Sequence, residues 1–107
     1  MLTFDLKHEH LKQVRAILKT HVPHAEVWAY GSRVNGDCHK ASDLDLVIRD
    51  PSDLSRHCER LYELKEAFSQ SDLPIIVDVI DWARIPVSFH AEIEKEHIDV
   101  QKGTRGR

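Results

Sequence analysis

Cysteine is scarce in this chain of 107 residues: only Cys38 and Cys58 are present. A disulfide-stapled secreted fold would need more, and nothing supports a bridge between these two. They read as thiols in a reducing compartment, so the expected location is cytoplasmic. The first residues, Met1 to Lys7, lack the apolar stretch of a signal peptide. No apolar run approaches the length of a membrane span, so no membrane partner is expected. Net charge is -3 with histidines neutral, which argues against a broad basic surface holding long nucleic acid by phosphate neutralisation. A local basic groove stays open. No repeat, low-complexity block or linker divides the chain. It therefore reads as one domain over residues 1–101, with a frayed basic tail at 102–107. Hydrophobic content of 41% against 31% charged is the balance of a folded globular domain.

Histidine, in contrast, is plentiful, with eight along the chain. His21 and His24 come nearest to a ligand spacing, but no cysteine or carboxylate set completes it. They read as solvated surface residues and not as a structural zinc site.

Periodicity gives the elements. Leu11, Val14, Ile17 and Leu18 share a face of a helix from about Lys7 to His21, ended by Val22-Pro23. Glu26 to Tyr30 is a short strand stopped by Gly31. Ser32 to Ser42 is polar and reads as a loop with room for one helical turn. Asp43 to Arg49 is a second strand, with Leu44, Leu46 and Ile48 on one face and Asp43, Asp45 and Val47 on the other. Asp50 to Asp53 reads as a turn capping a helix from about Leu54 to Ser69. Pro74 to Ile80 is apolar enough for a strand buried on both faces. Pro86 starts a last helix over Val87 to Lys95, with Phe89 and Ile93 inward. The fold class is α/β, a small mixed sheet flanked by helices.

Two carboxylates stand two residues apart on the second strand, so Asp43 and Asp45 leave the same face. Flanked by Leu44, Leu46, Val47 and Ile48, they repel each other and are costly to desolvate. A hard divalent cation removes that conflict, and magnesium takes oxygen ligands from carboxylates and substrate phosphates. Asp78 interrupts the apolar third strand and completes a three-carboxylate cluster if the two strands are neighbours. It reads otherwise as a hydrogen-bonded structural aspartate. Asp81 falls on the opposite face. Gly31-Ser32, directly after the first strand, lets backbone approach a ligand and offers a hydroxyl to phosphate oxygens. Arg33 follows as a charged phosphate contact. Trp28, Tyr30, Phe68 and Trp82 read as core or rim packing, not as base-stacking platforms.

Gly31-Ser32-Arg33-Val34-Asn35-Gly36, then Ser42-Asp43-Leu44-Asp45-Leu46-Val47, then Val77-Asp78-Val79-Ile80-Asp81, resembles the signature of the polymerase-beta-type nucleotidyltransferase superfamily. Within it, the string is similar to the minimal nucleotidyltransferase (MNT) subfamily, from about His8 to Gln101. The resemblance implies a palm-like sheet in which Asp43 and Asp45 bind two magnesium ions and Asp78 binds one of them. Asp78 is then also the candidate for activating the attacking hydroxyl, and Gly31 and Ser32 hold the triphosphate of ATP. It does not fix roles for Lys40 or Arg49. Only residues 82–107 follow Asp81, too few for a second domain gripping an acceptor, so the acceptor is expected with a partner. In the resembling toxin–antitoxin pairs that partner is a helical HEPN ribonuclease, adenylylated on tyrosine by its MNT antitoxin. Transfer to an RNA end or to a small molecule such as an aminoglycoside is the alternative. A non-catalytic nucleotide-binding subunit that masks its partner is another, and a homo-oligomer is left open.

Overall fold

The computed structural model describes residues 4–36 and 43–103. Helix α1 spans His8–His21. Val14 and Leu18, four apart and so stacked on one helix face, are fully buried. Strand β1 is Glu26–Tyr30. The polar stretch after it does hold one helical turn, α2, Ser32–Asn35. Cys38 and Lys40 lie outside the described residues, as does the tail beyond Gly103.

Strand β2, Leu44–Arg49, is central, and strand β3, Val77–Asp81, pairs with it in parallel. Strand β1 runs antiparallel to β2 on its other side. The order is β3-β2-β1-β4, so β3 is an edge strand. That corrects the expectation of a strand buried on both faces: Ile76, just before it, is 69% exposed, and Asp78 is exposed.

Helix α3 begins at Leu61 and ends at Ser69, well after the expected start at Leu54. The side chains between explain the delay. Asp50 accepts the Ser52 N–H at 2.8 Å, and Asp53 accepts both the N–H and the hydroxyl of Ser55, at 3.0 and 2.6 Å. These local turns compete with helix. A 3-10 turn, Trp82–Arg84, then leads to helix α4, Val87–Lys95, as expected. The fourth strand, β4 (His97–Gln101), was not expected; it pairs antiparallel with β1.

Two apolar clusters form, one on each face of the sheet. Val27, Ala29, Leu44, Leu46, Ile48, Val79 and Val100 pack against Val14 and Leu18 of α1 and Leu64 and Phe68 of α3. On the other face, Trp28 and Val47 pack against Trp82 and Ile93. The alternation along β2 is the one the sequence implies, and it sends Asp45 to this second face. Phe89, expected inward, is instead 36% exposed and meets Tyr30 edge-on at 5.8 Å.

Candidate active site

Register builds the site. Asp45 lies opposite Asp78 across the parallel β2–β3 pair, and opposite Tyr30 across the antiparallel β1–β2 pair. Residues in register share a face, and neighbouring strands lie about 4.8 Å apart. Asp43, two residues before Asp45, is exposed, and its charge is felt at Asp45. The three carboxylates that the sequence singles out are therefore within electrostatic reach of one another. Burial pushes the Asp45 carboxyl up to about 6, and the Asp78 and then the Asp43 charges push it the same way. Among the described residues, no three His, Cys, Asp or Glu side chains are already gathered into a metal cage.

Gly31 closes the wall beside them. Its φ of 83° and ψ of -157° lie where a side chain is strained. A Cβ there would stand 2.6 Å from Asp45 Oδ2. Glycine thus serves two needs, a turn out of β1 and room for the carboxylate. Its carbonyl accepts the amides of Val34 and Asn35 at 3.0 and 3.2 Å, which starts α2 at Ser32.

Arg33 is 7% exposed, and its Nη1 donates to the Asp5 carbonyl at 2.7 Å. The Asp5 amide returns a bond to the Arg33 carbonyl, also at 2.7 Å. This guanidinium ties the N-terminal segment to α2. Arg49 stands at the far end of β2. It pairs with Glu26 at 2.7 Å and lies over Trp28 and Trp82, at 4.3 and 4.7 Å from the ring centroids. Asp81 faces the other side, as alternation predicts. It is 2% exposed and accepts the amides of Cys58 and Ala83 at 2.7 and 3.3 Å.

Tyr30 is the site neighbour that sequence reasoning assigned only to packing. Burial first, then the Asp45 and Asp78 charges, hold its phenol well above its usual value. It is therefore a neutral hydroxyl beside two carboxylates. Its place before Gly31, at the end of a strand antiparallel to β2, was the available signal.

The model of the family described as nucleotidyltransferase domain matches residues 11–100. A relative from Haemophilus influenzae, described as a probable protein adenylyltransferase MntA, is 46% identical over 101 residues. The match covers 92% of this chain and 84% of the relative. Among solved structures, a toxin–antitoxin crystallised with AMP-PNP superposes with a TM-score of 0.69 at 18% identity. A toxin–antitoxin MntA–HpeT mutant, in which two aspartates spaced two apart are changed to glutamate, superposes with a TM-score of 0.68 at 16% identity. Each of these two covers 89% of this chain and 74% of the other.

Proposed function

The chain belongs to the nucleotidyltransferase domain family, and from that premise we propose that it transfers AMP from ATP to a hydroxyl of a protein partner, a tyrosine of a HEPN ribonuclease toxin, as its antitoxin. The observation that carries the reading is the alignment of Asp45 with Asp78 beside Asp43 and Gly31. Mutually repelling carboxylates, one with a raised carboxyl, are the donor set a hard divalent cation suits. We assign Asp43, Asp45 and Asp78 as holding two magnesium ions. Triphosphate oxygens would supply the remaining ligands of ions held by these carboxylates. When bound, magnesium neutralises the leaving phosphates and acidifies the acceptor hydroxyl.

The chain's own groups do the rest. Gly31 leaves room for the triphosphate and the Ser32 hydroxyl donates to it. The acceptor oxygen attacks the α-phosphorus in line, the bond to the β-phosphate oxygen breaks, and pyrophosphate leaves. The hydroxyl proton passes to the Asp78 carboxylate, which is exposed and so open to an incoming partner. The acceptor must come within about 3–3.5 Å of phosphorus. A tyrosine on a docking protein does this by entering beside the exposed Asp78. The relative's description as a protein adenylyltransferase and the toxin–antitoxin neighbours support this choice of acceptor.

The test is incubation of the chain with α-labelled ATP, magnesium and the HEPN protein. Label on a partner tyrosine is expected only when both proteins are mixed, and Asp78→Asn should abolish it. Label on RNA or on a small molecule would replace the acceptor. Full neutralisation of the toxin by Asp78→Asn, with no AMP attached, would make masking the mechanism.

A further inference from the structure

A cavity of about 440 Å³ opens at the other end of the sheet, beyond the carboxyl ends of β2 and β3. Arg49 is four residues along β2 from Asp45, about 13 Å at strand rise, so this cavity is separate from the carboxylate cluster. Parallel strands of α/β sheets commonly present ligand sites at this end, and the volume falls within the range of small-molecule sites. We propose that the cavity is a second ligand site, one that takes a small phosphomonoester.

Its charged lining is Arg49, Arg56 and Arg60 against Asp50, Glu59 and Asp81, with His21, His24 and His57 besides. The balance is not even in practice. Asp81 is spent on two amides and on Arg84 at 3.4 Å. Asp50 accepts the Ser52 amide, and Arg49 is committed to Glu26. That leaves the exposed Glu59 against Arg56 and Arg60. The two arginine side chains are 64% and 55% exposed, and their ion pairs, with Asp50 and Glu63, are long at 3.5 and 4.0 Å. Such exposed pairs hold weakly. A phosphate offers a guanidinium the shorter, bidentate geometry it favours.

The rest of the lining fits the organic part of such a ligand. Val22, Pro23, Ala25 and Ile48 supply apolar wall, which suits an organic body behind the phosphate. His21 also lines the cavity, so its ring reports on occupancy.

Binding is measured on the full-length chain with divalent metal chelated, using inorganic phosphate and AMP as separate probes. The His21 imidazole resonances are followed by NMR and the affinity by calorimetry. Without metal, the three carboxylates at the other end oppose any phosphate there, so the signal belongs to this cavity. The His21 signal should move with at least one probe. AMP binding tighter than phosphate shows that the organic body is read; equal binding makes it a site for the phosphate group alone. Arg56→Gln with Arg60→Gln, both on the surface, should weaken binding at least about tenfold with an unchanged circular dichroism spectrum. Asp45→Asn should still bind. The proposal fails if neither probe moves His21, if chloride at matched ionic strength moves it equally, or if the double variant binds as tightly. It fails also if Asp45→Asn abolishes binding, since the ligand would then sit at the transfer site. Loss of AMP transfer in the partner assay leaves this result untouched, so the two readings fail separately.

Discussion

Replacing Asp45 by asparagine should make the metal-free protein more stable. The carboxyl is pushed from 3.8 to about 6, a shift of about two units. At about 1.4 kcal/mol per unit, the ceiling on the cost of ionising it in the fold is roughly 3 kcal/mol. Asp45 is only partly buried, and solvent screens its neighbours, so about half of that is realistic, roughly 1–1.5 kcal/mol. For a domain of this size each kcal/mol moves the midpoint by about 4 °C or more, so Asp45→Asn should raise Tm by roughly 5 °C. The sign fixes the pH window. The folded carboxyl titrates above its unfolded value, so the wild type carries no penalty below about pH 4. It acquires the penalty between about pH 4 and 6 and carries it fully above. Melting curves with EDTA should therefore coincide at the acid end and separate toward neutrality. Magnesium with a non-hydrolysable ATP analogue should reverse the order, because only the wild type gains the ligand's binding energy. A lower Tm for Asp45→Asn near about pH 7.5, or a gap that does not change with pH, would refute the account of a strained carboxylate cluster.

Gly31→Ala should destabilise the fold by about 1–3 kcal/mol, read by urea denaturation, from its positive φ and the clash with Asp45 Oδ2. It should also lose ATP binding. Arg33→Met should lower Tm by removing the bond to the Asp5 carbonyl, while the KM for ATP changes little; a large rise in KM would return Arg33 to the phosphates. Arg49→Lys should cost about 1 kcal/mol, since an ammonium replaces neither the stacking on two tryptophans nor the fork toward Glu26. Magnesium-dependent ATP binding, followed by calorimetry, should survive that change.

The parts of the fold legible in the sequence were those with a local cause. Strand β1 and helix α4 fall on their expected residues, since β-formers before Gly31 and a proline before Val87 act within a few positions. The faces of β2 follow from simple alternation. What was not legible depends on distant partners. Strand β4 is five residues long, and only the unpaired side of β1 makes His97–Gln101 a strand. Whether Asp78 met Asp45 depended on strand order, which no local pattern encodes. The parallel register of β2 and β3 is what sets the two side by side. Arg33 stands beside the glycine–serine pair in sequence, yet its guanidinium points to a residue 28 positions earlier. The helical turn Ser32–Asn35 that carries it sets that direction.

The edge position of β3 gives Asp78 a bearing on solubility. From Leu73 to Ile80 the segment is Leu-Pro-Ile-Ile-Val-Asp-Val-Ile, rich in β-branched residues, with one backbone edge lacking a strand neighbour among the described residues. Such segments nucleate edge-to-edge pairing between chains unless a charge or proline interrupts them. Pro74 guards the approach, and Asp78 is the sole charge within the strand before its last residue, Asp81. The carboxylate assigned to the transfer chemistry is thus also a gatekeeper against self-association. Asp78→Ala would remove both at once, leaving a chain more prone to aggregate while it folds. Asp78→Asn keeps a polar group at the edge, and Asp78→Lys keeps a charge there while destroying the anionic cluster. If Asp78→Lys stays monomeric where Asp78→Ala forms sheet-rich aggregates, part of what fixes an aspartate at this position is the company that strand must not keep.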